Sequence, residues 1–204
     1  ALRRVDRLYE MLEQWDEQLT VLERQIELID EPSVKTNLAF RAAHLKDTRL
    51  MELEEALIGY GAVLEQDAHH EQCLSRLEDW VRENREISAA MEVLVPRLEA
   101  NESWTRLISN YEAVLDHLDI LDERIETNQR IASIFEHQLE DPRQAFQVLG
   151  RALTDDMTRA DILDELERLS GTLSSWGSYI QLLEESLERI PNAFAAKDLN
   201  ARLA

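Results

Sequence analysis

The sequence predicts an all-α chain of about twelve helices stacked as antiparallel hairpins into a solenoid, and three observations predict it. Only 5 Gly and 4 Pro interrupt 204 residues, while Leu, Glu, Ala and Arg dominate, a composition that favours helix over sheet or disorder. Apolar residues recur three and four apart along most of the chain, the spacing of one helix face. The chain also matches itself, without a gap, at an offset of 89 residues set by Trp15 and Trp104, and fixed-period self-similarity is the mark of repeat architectures.

Periodicity and punctuation place the elements in order. The expected helices are 3–13, 15–29, 33–47, 50–66, 69–82, 86–100, 104–117, 121–139, 142–155, 158–172, 175–189 and 192–203. Glu31-Pro32-Ser33 separates the second from the third, Asn101-Glu102-Ser103 the sixth from the seventh, and Asp119 the seventh from the eighth. Asp141-Pro142 opens the ninth, with Asp as cap and Pro at the first helical position, where its missing N–H is not needed. Thr158 with Asp161 has the form of a capping box. Ile190-Pro191-Asn192 marks the last break. Pro96 is expected to kink or divide the sixth helix, because it removes one hydrogen bond and crowds the preceding turn.

The repeat pairs Arg41 with Arg130, Ala43 with Ala132, Ala56 with Ala145, Gly61 with Gly150, Leu64 with Leu153, Leu77 with Leu166 and Leu94 with Leu183. These are mostly small or apolar positions, so two duplicated blocks are expected at 15–103 and 104–192. Gly61 and Gly150 fall inside helices, where glycine costs about 1 kcal/mol relative to alanine, and their recurrence predicts a close helix crossing. Short loops between amphipathic helices give hairpins, and hairpins that cannot bury their apolar face alone stack on their neighbours.

Charge narrows the partners. With 42 acidic residues against 22 Lys and Arg, the net charge of -20 repels nucleic-acid phosphates and anionic lipid, so neither nucleic acid nor membrane insertion is expected. Much of the excess fits solvated helix faces. One cysteine, Cys73, permits no internal disulfide and agrees with a reducing, cytoplasmic setting. The chain is expected to be a piece of a longer protein.

No residue pattern points to catalysis. His69-His70-Glu71-Gln72-Cys73 puts His69 and Cys73 one helical turn apart, but a zinc site needs three or four ligands, so no metal and no other cofactor is expected. Carboxylates such as Glu52, Glu54 and Glu55, or Asp161, Asp164 and Glu165, read as solvated faces. There is no phosphate loop, nucleophile elbow or His-Glu-x-x-His, and the chain is read as not an enzyme. Trp15, Trp104 and Trp176 stand early in their helices as wedges between helices, and Trp80 is left without a role.

Ala56-x3-Tyr60-x2-Val63-Leu64-x2-Asp67 and Ala145-x3-Leu149-x2-Ala152-Leu153-x2-Asp156 resemble the second helix of a tetratricopeptide repeat. Tyr179-x3-Leu183-x2-Ser186-Leu187-x3-Pro191 ends on the family's closing Pro, and Ala90-x3-Leu94-x2-Arg97-Leu98 is a fourth copy. Ala68 and Met157 replace that Pro elsewhere, and the first-helix Gly is missing, which keeps half-a-tetratricopeptide and Sel1-like arrays as alternatives. The resemblance implies one right-handed solenoid over 1–204 that binds a protein or peptide in a concave groove. First-helix residues line that groove in the family, which points to Lys35, Arg41, Arg49, Arg124, Arg130 and Gln138. Arginine recurring at 41 and 130 in so acidic a chain makes a partner with acidic groups the expectation, since its planar fork takes a carboxylate with two bonds. Arg130 has Glu126 one turn earlier, whereas Arg41 has Asn37 and Leu45 at four positions and Leu38 and His44 at three, so its partner must come from elsewhere. Salt bridging between helices competes with partner contact as the role of these arginines, and a structural spacer that binds nothing competes with a scaffold as the role of the chain, with a metal-dependent or hydrolytic enzyme as a distant third.

Overall fold

The computed structural model describes residues 2–189 and 197–203, and among them every regular element is helical. In chain order these are α1 (Leu2–Met11), α2 (Trp15–Leu28), α3 (Pro32–Leu45), α4 (Leu53–Gln66), α5 (Glu71–Arg82), α6 (Ile87–Ala100), α7 (Trp104–Leu115), α8 (Leu121–His137), α9 (Pro142–Asp155), α10 (Ala160–Leu173), α11 (Trp176–Arg189) and α12 (Lys197–Leu203). The break expected at Ile190-Pro191-Asn192 and the first residues of the last expected helix lie outside the described residues. The chain forms two compact units, Ala1–Ser103 and Trp104–Ala204.

In the first unit α1 to α4 pack in sequence, each against the next, and α5 packs on α6. Leu22, Leu38, Ala42 and Leu45 form a buried cluster on the α2–α3 seam, flanked by Trp15, Leu19 and Ile26. Ala56, Tyr60, Leu64, Leu77, Trp80, Leu94 and Leu98 continue the buried face through α4, α5 and α6, each 1% exposed or less. Burying a large apolar side chain in this way contributes about 1.5–3 kcal/mol. In the second unit α8 and α9 form the most extensive hairpin, and α10 packs on both α9 and α11. Its core includes Ile125, Ile131, Leu153, Ile162, Leu166 and Leu183.

The helices keep the repeat offset. The bounds of α4 and α9, and of α6 and α11, are each 89 residues apart at both ends, so five helices, α2 to α6 and α7 to α11, answer one another in order. The corners repeat as well. Glu13 and Glu102 are left-handed (φ 55 and 52), as are Met51 and Glu140 (φ 60 and 52). Behind the first pair Gln14 N–H donates to Tyr9 O and Ser103 N–H to Leu98 O. Behind the second, Glu52 N–H donates to Lys46 O at 2.9 Å and Asp141 N–H to Phe135 O at 2.7 Å. These are helix stops of the kind normally built on glycine, yet no glycine in the described chain has positive φ.

Several sequence expectations change. The sixth helix is not divided: α6 runs through Pro96 without interruption. Asp141 caps α9, its side chain accepting from Gln144 N–H, but the capping box at Thr158 does not form. Asp156 there accepts from both Thr158 N–H and Thr158 Oγ1, and the cap position of α10 is Arg159 with no side-chain cap. Gly61 and Gly150 are not the close crossing. A Cβ on Gly61 would meet nothing within 4 Å, and one on Gly150 would make ordinary contact with Leu182 at 3.5 Å. The close approach is at Gly59, where a Cβ would lie 2.7 Å from Ala43 Cβ.

The third expected helix, 33–47, ends instead in a single π-helical turn, Lys46–Leu50, continuing α3. A π turn carries one extra residue per turn and re-aims the side chains that follow it. Here it points Asp47 inward and leaves Thr48 and Arg49 exposed.

Candidate functional site

Asp47 is 0% exposed, and a carboxylate so placed must be charge-compensated and fully hydrogen-bonded. Five hydrogen bonds reach it. Oδ2 accepts from Arg76 Nε at 2.5 Å, Tyr60 OH at 3.0 Å and Trp80 Nε1 at 3.2 Å. Oδ1 accepts from Arg85 Nη2 at 2.9 Å and Arg76 Nη2 at 3.2 Å. Arg85 also lies over the Trp80 ring, 5.2 Å from its centroid, within the ~6 Å reach of a cation–π contact. Burial works to raise the Asp47 pKa, but the bonds from Arg76 and Trp80, the Arg76 charge and the Tyr60 bond outweigh it and hold the carboxyl below its ordinary value. Trp80 is thus a core donor to a buried acid.

This knot fixes the π turn, and the π turn presents Arg49. The Arg49 guanidinium sits over the half-buried Trp15 ring, 4.9 Å from its centroid. Beside it opens a hollow of about 430 Å³ lined by Trp15, Gln18, Arg41, His44 and Thr48 and by the acids Glu10 and Glu13. Arg41 is held from behind. Its Nη1 donates to Asp6 Oδ2 at 3.0 Å and its Nη2 to Asp6 Oδ1 at 3.1 Å, so the acid missing from its own helix comes from α1. Asp6 is buried and also accepts from Gln18 Nε2 at 3.0 Å.

The six residues singled out in the sequence form three pairs across the repeat: Lys35 with Arg124, Arg41 with Arg130, and Arg49 with Gln138. Each unit places its three differently. Lys35 is exposed beside a second hollow, about 450 Å³, lined with Ile26, Asp30, Ala39, Val63 and Gln66. Arg124 is tied inward: Nε donates to Asp155 Oδ2 at 3.3 Å, and Nη1 to Leu115 O and Leu118 O at 3.0 and 3.3 Å. Leu115 and Asp155 answer Ile26 and Gln66 in the repeat, so Arg124 occupies the place that stays open beside Lys35. Arg130 is exposed on α8 and makes no ion pair among the described residues; Val95 stands at the repeat position of Asp6. Gln138 is exposed at the end of α8.

Within the first unit, then, Arg41 and Arg49 share one hollow and Lys35 lines another. Sequence reasoning missed Asp47, the residue that positions Arg49. The one available signal was at the repeat position, where Glu136 again carries an acid. Glu136 accepts from Arg168 Nη1 and Nη2 at 2.7 and 2.6 Å. The pairing survives by a swap one turn apart: Arg76 and Asp79 in the first unit answer Glu165 and Arg168 in the second. Tyr60 and Trp80 answer Leu149 and Leu169, so the aromatic donors are confined to the first unit.

Cys73 Sγ is buried against Tyr60 O at 3.5 Å, and burial pushes its thiol up to about 12. His70 Nδ1 accepts from Cys73 N–H at the start of α5, and His69 is exposed. Among the described residues no group of three or more His, Cys, Asp and Glu is placed to hold a metal, and no helix is long and apolar enough to cross a membrane.

No protein-family model matches the chain, and no characterised protein matches it by sequence. Among solved structures it is similar to the MamA RS-1 ArsTM double mutant, at 10% identity over 92% of this chain and 91% of that one, TM-score 0.35. It is similar to the TPR2AB domain of yeast Sti1 in its pHSP90 complex, at 11% identity over 99% and 83%, TM-score 0.44. It is also similar to the P58(IPK) TPR domain, at 16% identity over 97% of this chain and 53% of that one, TM-score 0.31. The class assignment, an all-α chain of packed helix hairpins with an internal repeat, rests on this chain's own helices.

Proposed function

We propose that the chain is a non-enzymatic protein-interaction scaffold of the helical-repeat kind, built as one solenoid from two duplicated blocks, and that it takes an acidic segment of a partner protein. The observation that carries this reading is the Arg49–Trp15 platform. In a chain of net charge -20, a guanidinium stacked on a half-buried indole is held open to solvent beside a hollow that a second arginine also lines. A stacked guanidinium keeps its donor edge free and loses little freedom when a carboxylate arrives. Lys35 and Arg49 in the first unit, and Arg130 and Gln138 in the second, all exposed, are each unit's contact residues, while Arg41 and Arg124 hold their helices. The setting is cytoplasmic, where a lone buried thiol needs no disulfide partner.

The test is fluorescence anisotropy with a labelled Glu-rich peptide and the Arg49→Glu/Arg130→Glu protein. Affinity should fall roughly tenfold or more, with helicity unchanged, and fall again as salt shortens the ~10 Å screening length. An affinity indifferent to both the double substitution and salt refutes the reading. The inward ties of Arg41 to Asp6 and of Arg124 to Asp155 favour a second reading, a structural spacer, which predicts no saturable peptide binding at all.

A further inference from the structure

Arg41 also borders a smaller hollow, about 250 Å³, between α1 and the α2–α3 pair. Arg3 and Arg7, one helical turn apart on α1, line it together with Arg41, Asp6, Gln25 and Asn37, over Val34 and Leu38. The charges there do not balance. Both oxygens of Asp6 are taken by Arg41, whereas neither Arg3 nor Arg7 has an ion pair among the described residues. Three arginines against one aspartate leave the hollow two charges positive in a strongly acidic chain.

An independent feature borders the same hollow. Gln25 is 3% exposed, and its Nε2 is buried without a hydrogen-bond partner. A buried donor left unpaired is destabilising and is normally matched by an acceptor. Asn37 adds an amide at the rim, one of whose hydrogens holds Ser33 O at 2.9 Å.

We propose that this hollow binds a phosphate group, with Arg3 and Arg7 as its guanidinium clamp, Gln25 Nε2 as a buried donor to one oxygen, and the Arg41–Asp6 pair as its fixed wall. Charge selects phosphate over a carboxylate. A phosphate carries roughly -1.5 to -2 at pH 7 with three acceptor oxygens, which matches two unpaired guanidiniums and an amide, whereas a monocarboxylate leaves one guanidinium uncompensated. Arginine forks suit phosphate by the same two-bond geometry that suits carboxylate. The site is independent of the scaffold reading, since neither Arg3 nor Arg7 borders the Arg49 hollow.

Isothermal titration of the full chain at low ionic strength, with inorganic phosphate, an N-acetylated phosphoserine amide and acetate as probes, tests it. Phosphate binds saturably at one site per chain. Tighter binding of phosphoserine identifies a phosphorylated side chain as the source, and tighter binding of inorganic phosphate identifies the free ion. Arg3→Gln/Arg7→Gln lowers the affinity roughly tenfold or more with helicity unchanged. Gln25→Met, which removes the donor at similar volume, lowers it by a smaller factor. Absence of saturable binding, acetate binding as tightly as phosphate, or an affinity unchanged in the Arg3/Arg7 variant overturns the proposal.

Discussion

Replacing Asp47 with Asn keeps the shape of the side chain and removes its charge. Of the five hydrogen bonds, one set of partners must then face an NH2 group. If the remaining oxygen keeps Arg85 Nη2 and Arg76 Nη2, the bonds from Arg76 Nε and Trp80 Nε1 are lost and Tyr60 must turn from donor to acceptor. Two lost bonds at about 1–1.5 kcal/mol each, and two arginines left without their carboxylate, give a loss of about 3 kcal/mol. The arginine side chains are 16% and 24% exposed, so water relieves part of the unpaired charge and keeps the figure from the upper end. For a chain of this size that is a fall in melting temperature of roughly 6–12 °C. Urea or thermal melts followed by circular dichroism measure it. The pH dependence supplies a second check. The folded pKa of Asp47 lies below its unfolded value, so its stabilisation is complete above about pH 4 and is lost as pH falls through the folded pKa. The gap between wild type and Asp47→Asn should therefore be constant through neutral pH and narrow below about pH 4. A loss under about 1 kcal/mol, or a gap that does not narrow in acid, would refute the account of Asp47 as a charged anchor.

Two further outcomes follow from the same geometry. Gly59→Ala places a methyl 2.7 Å from Ala43 Cβ and should destabilise by about 1–3 kcal/mol, whereas Gly61→Ala meets nothing and should stabilise by up to about 1 kcal/mol; opposite signs in denaturant melts are the readout. Cys73, with its thiol pushed up to about 12 by burial, should react with a thiol reagent near neutral pH only after denaturation, and rapid labelling of the native protein would show that α5 opens.

Much of the fold was legible because helix and break leave local marks. Periodicity placed α1 to α11 to within a few residues, and Asp141-Pro142 named its own cap. What was not legible is tertiary. The π turn has no composition of its own, since an i→i+5 bond asks for no particular residue. Asp47 gathers donors 13 to 38 positions away, beyond any window in which a helix pattern is read. Gly61 and Gly150 drew notice by recurring, yet the packed glycine is Gly59, whose repeat partner is Val148. Arg41 was read correctly as lacking an acid one turn away; the acid that serves it, Asp6 on α1, lies outside the repeated block, so the duplication gave no sign of it.

The left-handed corners at Glu13, Met51, Glu102 and Glu140 have a mechanical consequence. Each holds an ordinary residue in a conformation that costs on the order of 1 kcal/mol or more, and the backbone there has no comfort of its own to keep it bent. Such a corner behaves as a sprung latch, shut only while the helices on either side press on it. When one helix lifts, the latch releases its strain and works against reclosing. Because the duplication copied the latches along with the helices, α7 is entered past the same strained corner as α2, and α9 past the same one as α4.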